Sequence, residues 1–575
     1  MRASRSLRPA ALLAGLLLAA MPAHAQLGDM LGDSDVTGGS GSGMPGDRRA
    51  AGERRADRRE PRERTVRIAP YLELDQTALV NLKGGDGDVL TYTTVAAGVQ
   101  ANIETHTVQI GADLRYAHLF SWNDDFPDQD VISGIATGRV ELVRDRLSLE
   151  AGGLATRVRA DGLTGANGSL IGAGYTNQVY SAYVGPNLTV PLGDVQLNGF
   201  YRLGYNRVDQ DNDLPPDIAL PASSFDESWF HHAFASVGQQ PNRGLLPFGW
   251  SVGAGYLREN ASQLSQHFID KYVRADITVP VSPYVALLGG VGYEDIKISN
   301  RDALRDANGD PVRDAGGRFI TDPASPRRLS YDQDGLIWDV GVLWRPNPRL
   351  SAEFRLGHRY GSMSYTGTLV WQPTRRTSLS VVLFDSIDSF GRMLNSSLAN
   401  LGTNFYVIRN PFSGDLGGCV FNNGQAGGAC FNDTLSGISA ANFRNRGLFA
   451  QFARITDPWA VTAALGYSRR KFIGDDASVL AAFDGLSDDN YFAYFGISRQ
   501  LAANSAIDAS AYANYFDSGL SDFGDVFNIG ANVAYRRLLM RRLTATAALG
   551  IDSVDRERQE AFISLLAQIG LRYQF

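Results

Sequence analysis

The residues able to do chemistry are few and widely spaced. Cys419 and Cys430 are the only cysteines, in the spacing C-x10-C. The histidines beyond residue 25 are His106, His118, His231, His232, His267 and His358, and none falls in a metal-binding pair such as HExxH. No serine elbow or phosphate-binding loop opens a helix. Asp306-Ala-Asn308-Gly-Asp310 begins like a calcium loop, but its glycine stands fourth instead of sixth and Gly317 occupies the place of the closing glutamate. A polar turn is the better reading. The chain is therefore expected to be no enzyme, with no catalytic residues, no metal and no cofactor. A membrane-embedded hydrolase assembled across strands is the alternative that a motif search does not see.

The remaining candidates are charges at alternate positions. In Arg349-Leu-Ser-Ala-Glu-Phe-Arg-Leu-Gly-His-Arg-Tyr360, Leu350, Ala352, Phe354, Leu356, His358 and Tyr360 share one face. Ser351, Glu353, Arg355, Gly357 and Arg359 share the other. Successive strand side chains point to opposite faces, so the segment has one apolar wall and one charged wall. Leu336, Trp338, Val340, Val342 and Trp344 repeat the theme, with Asp339 opposite. Leu114 and Tyr116 oppose Asp113 and Arg115, and Leu203 and Tyr205 oppose Arg202.

These segments run about 10 to 16 residues, long for globular strands and right for tilted membrane strands. Trp338, Trp344, Tyr360, Trp371, Tyr467 and Tyr515 collect near the ends of apolar faces, as an interfacial girdle requires. Short connections recur at Glu104-Thr105, Asp145-Arg146, Leu192-Gly193-Asp194, Ser282-Pro283, Pro346-Asn347-Pro348, Pro373-Thr374, Asp457-Pro458, Ala502-Ala503-Asn504 and Arg541-Arg542. Longer polar loops lie between them, at 123–130, 163–174, 209–226, 300–329, 391–441 and 475–489. Short turns on one side and long loops on the other mark outer-membrane barrels. The expected fold is all-β, an antiparallel up-and-down transmembrane β-barrel of about 22 strands (range about 18 to 24) spanning 65–575.

Composition agrees once alternation is allowed for. With 44% apolar residues, 20% charged residues and a mean hydropathy of −0.16, the average hides one greasy face and one wet one. No apolar run reaches the roughly 18 to 20 residues of a spanning helix. The aromatic content of 10% excludes disorder for most of the chain. Arg2, Arg5 and Arg8 precede the apolar run AALLAGLLLAA, and Ala23-His24-Ala25 fits a small-x-small cleavage site. Cleavage between Ala25 and Gln26 would remove a signal peptide, 1–25, and take the net charge from −7 to −10. Residues 26–64, Gly-rich and then crowded with Arg and carboxylates, read as a disordered periplasmic linker. An exported chain makes a Cys419–Cys430 disulfide the natural reading.

The chain closes on Leu565-Leu-Ala-Gln-Ile-Gly-Leu-Arg-Tyr-Gln-Phe575. Leu571, Tyr573 and Phe575 resemble the terminal strand of bacterial outer-membrane barrels, which implies recognition by the barrel-assembly machinery. A count of 22 suggests the TonB-dependent transporters, but only 39 residues, 26–64, separate the cleavage site from the first strand, with no core to fold as a plug. Energised uptake is therefore not expected. Trp338-Asp-Val-Gly-Val-Leu-Trp-Arg-Pro-Asn-Pro-Arg349, Gly357-His-Arg-Tyr360 and Pro373-Thr-Arg-Arg-Thr-Ser-Leu379 resemble the plug-less outer-membrane barrels of exopolysaccharide and exosortase (PEP-CTERM) systems. That resemblance implies export or surface display of polysaccharide.

The expected role is a channel or accessory for polysaccharide or another polar solute in the bacterial outer membrane. Asp113, Arg115, Arg202, Asp339, Glu353, Arg355 and Arg359 would line the pore, or pair across strands and hold the wall together. The alternative is a structural or adhesive barrel with a filled lumen and active outer loops. Expected partners are outer-membrane lipid and lipopolysaccharide, the assembly machinery, polysaccharide and periplasmic export components, with no nucleic acid.

Overall fold

The computed structural model describes residues 65–83, 89–122, 128–159, 176–209, 225–242, 246–314, 318–422, 428–436, 438–475, 478–519, 524–557 and 561–575. The expected signal peptide 1–25, the expected Ala25/Gln26 cleavage site and the expected linker 26–64 lie outside them. So do the loop residues 163–174.

Twenty-two antiparallel strands form one sheet in which each strand pairs with its neighbours in sequence. The first strand, Thr65–Lys83, also pairs with the last, Phe562–Gln574, in the register Leu74↔Leu571. The sheet is thus closed, and closure leaves no unpaired edge. Outward positions are apolar: Ile569 is 67% exposed and Phe575 57% exposed, while the inward Gln568 is buried. Leu336, Trp338, Val340, Val342 and Trp344 all face out. An apolar belt around a closed sheet of this kind is solvated by lipid, since every backbone group within hydrocarbon needs a protein partner. No helix among the described residues is long enough and apolar enough to cross a membrane; the strands do the crossing. This is an outer-membrane β-barrel.

The seam is also tied from inside. Arg572 reaches Glu73 at 3.3 Å and stacks over Tyr71, and Gln568 donates to Thr77 at 3.1 Å. The connections at Thr105, Asp145, Gly193, Ser282, Pro348, Arg375, Pro458, Asn504 and Arg541 are short and share one rim. A longer connection on that rim, 240–248, was not anticipated, and neither were two tight turns on the far rim at 262–265 and 360–361. One of these turns corrects the reading of Tyr360. Tyr360 and Gly361 have φ of 55° and 68°, the two-residue hairpin geometry that matches strand twist. The turn breaks the alternation, so Tyr360 leaves the girdle and is 8% exposed, between the guanidiniums of Arg359 and Arg444.

The loops of the far rim fold on one another. Val479 donates to Asp302 at 3.1 Å, Arg318 pairs with Asp226 at 2.6 Å, and Leu264, Phe319, Phe443, Phe472 and Leu480 share one apolar cluster. The Asp306 turn is polar, as its sequence indicated: the Asp306 carboxylate accepts from the amides of Asn308 and Asp310, and Gly309 has φ of 92°.

Two glycines test the wall. A Cβ on Gly357 would sit 2.0 Å from the Trp338 carbonyl oxygen on the adjoining strand, whereas one on Gly138 would meet its nearest atom at 3.5 Å. Gly357→Ala should destabilise the barrel by about 1–3 kcal/mol, as overpacking does, and Gly138→Ala should not. Loss of the fast-migrating unheated form on detergent gels over a temperature series measures both; equal midpoints would contradict the packing described.

Candidate functional site

The lumen is the candidate site, and it holds the described residues of the segment 389–441 (389–422, 428–436 and 438–441), of which 391–441 was expected from sequence to be an outer loop. The segment leaves the barrel after the strand Thr377–Asp388 and rejoins it at Asn442–Thr456. Its first element is the helix Phe390–Ala399, started by Ser389, whose hydroxyl accepts from the Arg392 amide. Phe390, Leu394 and Leu398, spaced four apart, place three apolar side chains on one helical face. That face packs against Ile135, Leu154, Val158, Val179 and Val208, inward residues of the wall. The helix start is pinned by a buried charge group: Glu259 on the wall accepts from Ser389 at 2.6 Å and lies 3.3 Å from Arg392. Arg392 in turn caps the Phe268 ring at 3.6 Å.

A three-stranded sheet follows, Phe405–Arg409, Leu416–Asn422 and Gly428–Cys430. Cys419 and Cys430 stand opposite each other in it and are joined by a disulfide. Its tip, 410–415, is built by Asn410, whose side chain accepts from the Phe412 amide, and by Gly414 at φ 73°. A side chain at Gly414 would also collide with Arg115. The tip inserts Phe412 among Leu79, Tyr92, Ala117, Leu119 and Leu566, on strands next to the seam. Tyr92 donates to the Phe412 carbonyl at 3.3 Å.

Ionic contacts lock this tip. Arg157 grips Asp415 through two nitrogens, at 2.8 and 3.2 Å, with side-chain exposures of 4% and 5%. Arg409 binds Asp113 through Nε at 3.0 Å and Ser133 at 2.7 Å. Arg115 pairs with Glu73 at 2.9 Å and donates to the Ser413 carbonyl at 3.3 Å. Bidentate pairing at such depth is directional as well as strong.

Of the predicted pore-lining residues, then, Asp113 and Arg115 meet the inserted segment. Arg202 lies over the rings of Tyr183 and Phe200. Asp339, Glu353 and Arg355 are brought together on a different stretch of wall. Arg355 reaches Asp276 and Asp339 at 3.0 Å and Glu353 at 2.7 Å, and Arg274 bonds Asp276 at 2.8 Å. Arg359 pairs with Glu294. These charged groups find their partners in one another, across the strands Gln266–Pro280, Val285–Asn300, Arg328–Asn347 and Leu350–Arg359.

Arg274, Asp276, Glu294 and Glu259 were missed, although the same alternation places them inward; Arg157 was missed because alternation with the inward Leu154 and Val158 puts it on the other face. Arg409 and Asp415 carried no local signal at all. A readable sign of the inserted segment existed in the wall: Ile135, Val158 and Val179 are apolar at inward positions, where a wet lumen calls for polar residues. Gly111 is explained in the same way, since a Cβ there would lie 2.1 Å from the Thr403 carbonyl oxygen.

No family model matches the chain. No curated protein matches it either. Solved structures similar to it include the ferric-catecholate import receptor Fiu from E. coli K12, at 11% identity and a TM-score of 0.42, with 90% of this chain and 82% of that one covered. The FrpB iron transporter from Neisseria meningitidis gives 10% identity and a TM-score of 0.43, over 88% and 82%. The siderophore receptor PiuA from Acinetobacter baumannii gives 10% and 0.40, over 87% and 82%.

Breaking the Arg157–Asp415 pair strands a buried charge, a loss of about 3–5 kcal/mol. Arg157→Ala should therefore loosen the tip and speed trypsin cleavage after Arg409 in the folded, detergent-solubilised barrel. Arg157→Ala with Asp415→Ala together should cost less than the sum of the two single changes. Cleavage rates identical to the unaltered protein would contradict the assignment.

Proposed function

We propose that this protein is a non-enzymatic conduit for a polar solute across the outer membrane, narrowed by the inserted segment 389–441, and that the solute class is polysaccharide. The observation that carries the reading is the division of the inner wall. The inserted segment is packed by apolar and ionic contacts onto the strands from Thr65–Lys83 to Gly249–Ala261, onto those from Asn442–Thr456 to the seam, and onto Phe268 of Gln266–Pro280. The stretch holding Arg274, Asp276, Asp339, Glu353 and Arg355 instead presents a network of mutually paired charges. Paired Arg and carboxylate groups keep a surface hydrated without offering a trap of one sign, which suits a path that neutral or weakly charged solutes must leave as easily as they enter. The stretch Trp338 to Leu379, resembling the barrels of exopolysaccharide systems, includes part of this same wall.

A second reading has support of its own. The apolar cluster between the wall and the inserted helix resembles a protein core, and a lumen filled to that degree fits a structural or adhesive barrel. Planar-bilayer recording separates the two. The conduit reading predicts stable conductance steps, enlarged when 402–436 is replaced by a short Gly-Ser linker, and a shift of permeability toward cations in Arg355→Glu. Silence in both the unaltered and the shortened protein would leave the filled barrel.

A further inference from the structure

The outer surface of the barrel carries a group of charges that the wall itself does not balance. It lies at the far rim, on the strands Gly249–Ala261, Gln266–Pro280 and Val285–Asn300. Leu257 and Glu259 are buried towards the lumen, so Arg258 between them points out and is exposed. Asp270 and Tyr272 bracket the exposed Lys271 in the same way. Lys271 stands opposite Tyr256, two residues from Arg258, which makes the two cations diagonal neighbours about 7–8 Å apart along the backbone. A second pair stands above them. Arg327 donates to the carbonyls of Ser265 and Ser299, at 2.6 and 3.3 Å, and to His267 Nε2 at 3.4 Å. Arg301 donates to the Pro323 carbonyl at 2.6 Å.

These partners are neutral. Arg258 bonds only the Asn260 side chain, at 3.2 Å, and among the described residues none of the four cations has a carboxylate partner. Carboxylates at adjoining positions are already engaged. Asp295, opposite Lys271, and Asp332 hold Lys297 at 3.3 and 3.7 Å, and Asp302 holds Arg305 at 3.2 Å.

The strand sets the height of the group. From Lys271 to Pro280 the chain takes nine steps, about 3.3 Å each and tilted about 40°, so Lys271 stands roughly 23 Å above the lower end. The apolar band of an outer-membrane barrel is about 25 Å tall, which puts Lys271 at its upper edge. Tyr256 and Tyr293, both outward, lie beside it, as tyrosine does at this interface. Val273, Ile277 and Val279 continue the outer face below as apolar surface. His267 is four residues higher than Lys271, so the cations form two levels about 10 Å apart.

We propose that this face binds a phosphorylated glycolipid of the outer leaflet. One phosphate bridges Arg258 and Lys271, a second meets Arg301 and Arg327, and the acyl chains lie along Val273, Ile277 and Val279. Guanidinium forks match phosphate oxygens in geometry as well as charge. Two levels of cations suit two phosphates on one headgroup, which a phospholipid with a single phosphodiester lacks. The site is on the opposite side of the wall from the lumen and is independent of what the barrel conducts.

Native mass spectrometry of the purified full-length barrel in detergent tests it, with EDTA present so that no divalent cation bridges lipid to carboxylates. The probes are bisphosphorylated lipid A, the same lipid with both phosphates removed, phosphatidylglycerol and inorganic phosphate. Bisphosphorylated lipid A should bind roughly tenfold or more tightly than either other lipid, and less tightly as salt rises. Arg258→Gln with Lys271→Gln should bring it near the dephosphorylated level, with the heat shift on gels showing a folded barrel. Arg499→Gln, which removes a charge at the opposite rim, should leave binding unchanged. In the unaltered protein, bisphosphorylated lipid A should also raise the temperature at which the fast-migrating gel form is lost, a readout that needs no variant. Equal binding of the dephosphorylated lipid, or full binding by the double variant, would overturn the proposal. So would a preference for phosphatidylglycerol, or displacement of the lipid by millimolar inorganic phosphate, which would make this a site for free anions.

Discussion

A backbone placed in hydrocarbon cannot borrow hydrogen bonds from water, and the rest of this structure follows from that. Each strand must be paired on both sides, so the first strand must find the last across the whole length of the chain. The pairing of Thr65–Lys83 with Phe562–Gln574 meets this demand, and Arg572, Glu73, Gln568 and Thr77 fasten it from within. Closing 22 strands creates a second demand, because a circle of that size encloses more room than wall side chains alone can fill. Here the room is partly taken by the chain's own segment 389–441.

The outer face was legible in the sequence because one local rule governs it. Lipid asks the same thing of every outward position, so Trp338, Val340 and Val342, or Leu571, Tyr573 and Phe575, announce themselves by alternation alone. The rule fails only where the backbone does something special, as at Tyr360 in its left-handed turn. The inner face answers to partners far away in sequence. Alternation puts Asp113 on the inner face, but its partner Arg409 lies 296 residues further on, and no periodicity connects them. The segment 389–441 misled because its glycines and polar residues look like loop. Its Phe412, Val420, Phe421 and Phe431 are core residues, with Phe405 half-buried against them, and their complement was hidden in the apolar inward positions Ile135, Val158 and Val179.

The two inner surfaces divide the labour between order and passage. Where the segment is seated, apolar packing gives adhesion and buried ion pairs give register: Arg157–Asp415 and Arg409–Asp113 admit one placement of the tip and penalise others. Along the stretch of Arg274, Asp276, Asp339, Glu353 and Arg355, charges satisfy one another, so the wall holds its shape without an inserted partner. The disulfide between Cys419 and Cys430 ties together the small sheet that carries the tip. The inserted segment is thus a folded unit built onto the inside of a barrel.

The central claim is that the described residues of 389–441 are folded within the lumen. Hydrogen–deuterium exchange of the reconstituted full-length barrel tests it most directly. The account predicts that amides of the helix Phe390–Ala399 and the strand Leu416–Asn422 exchange as slowly as those of the transmembrane strands, over hours. Exchange of both within seconds, as for an outer loop in water, would contradict it.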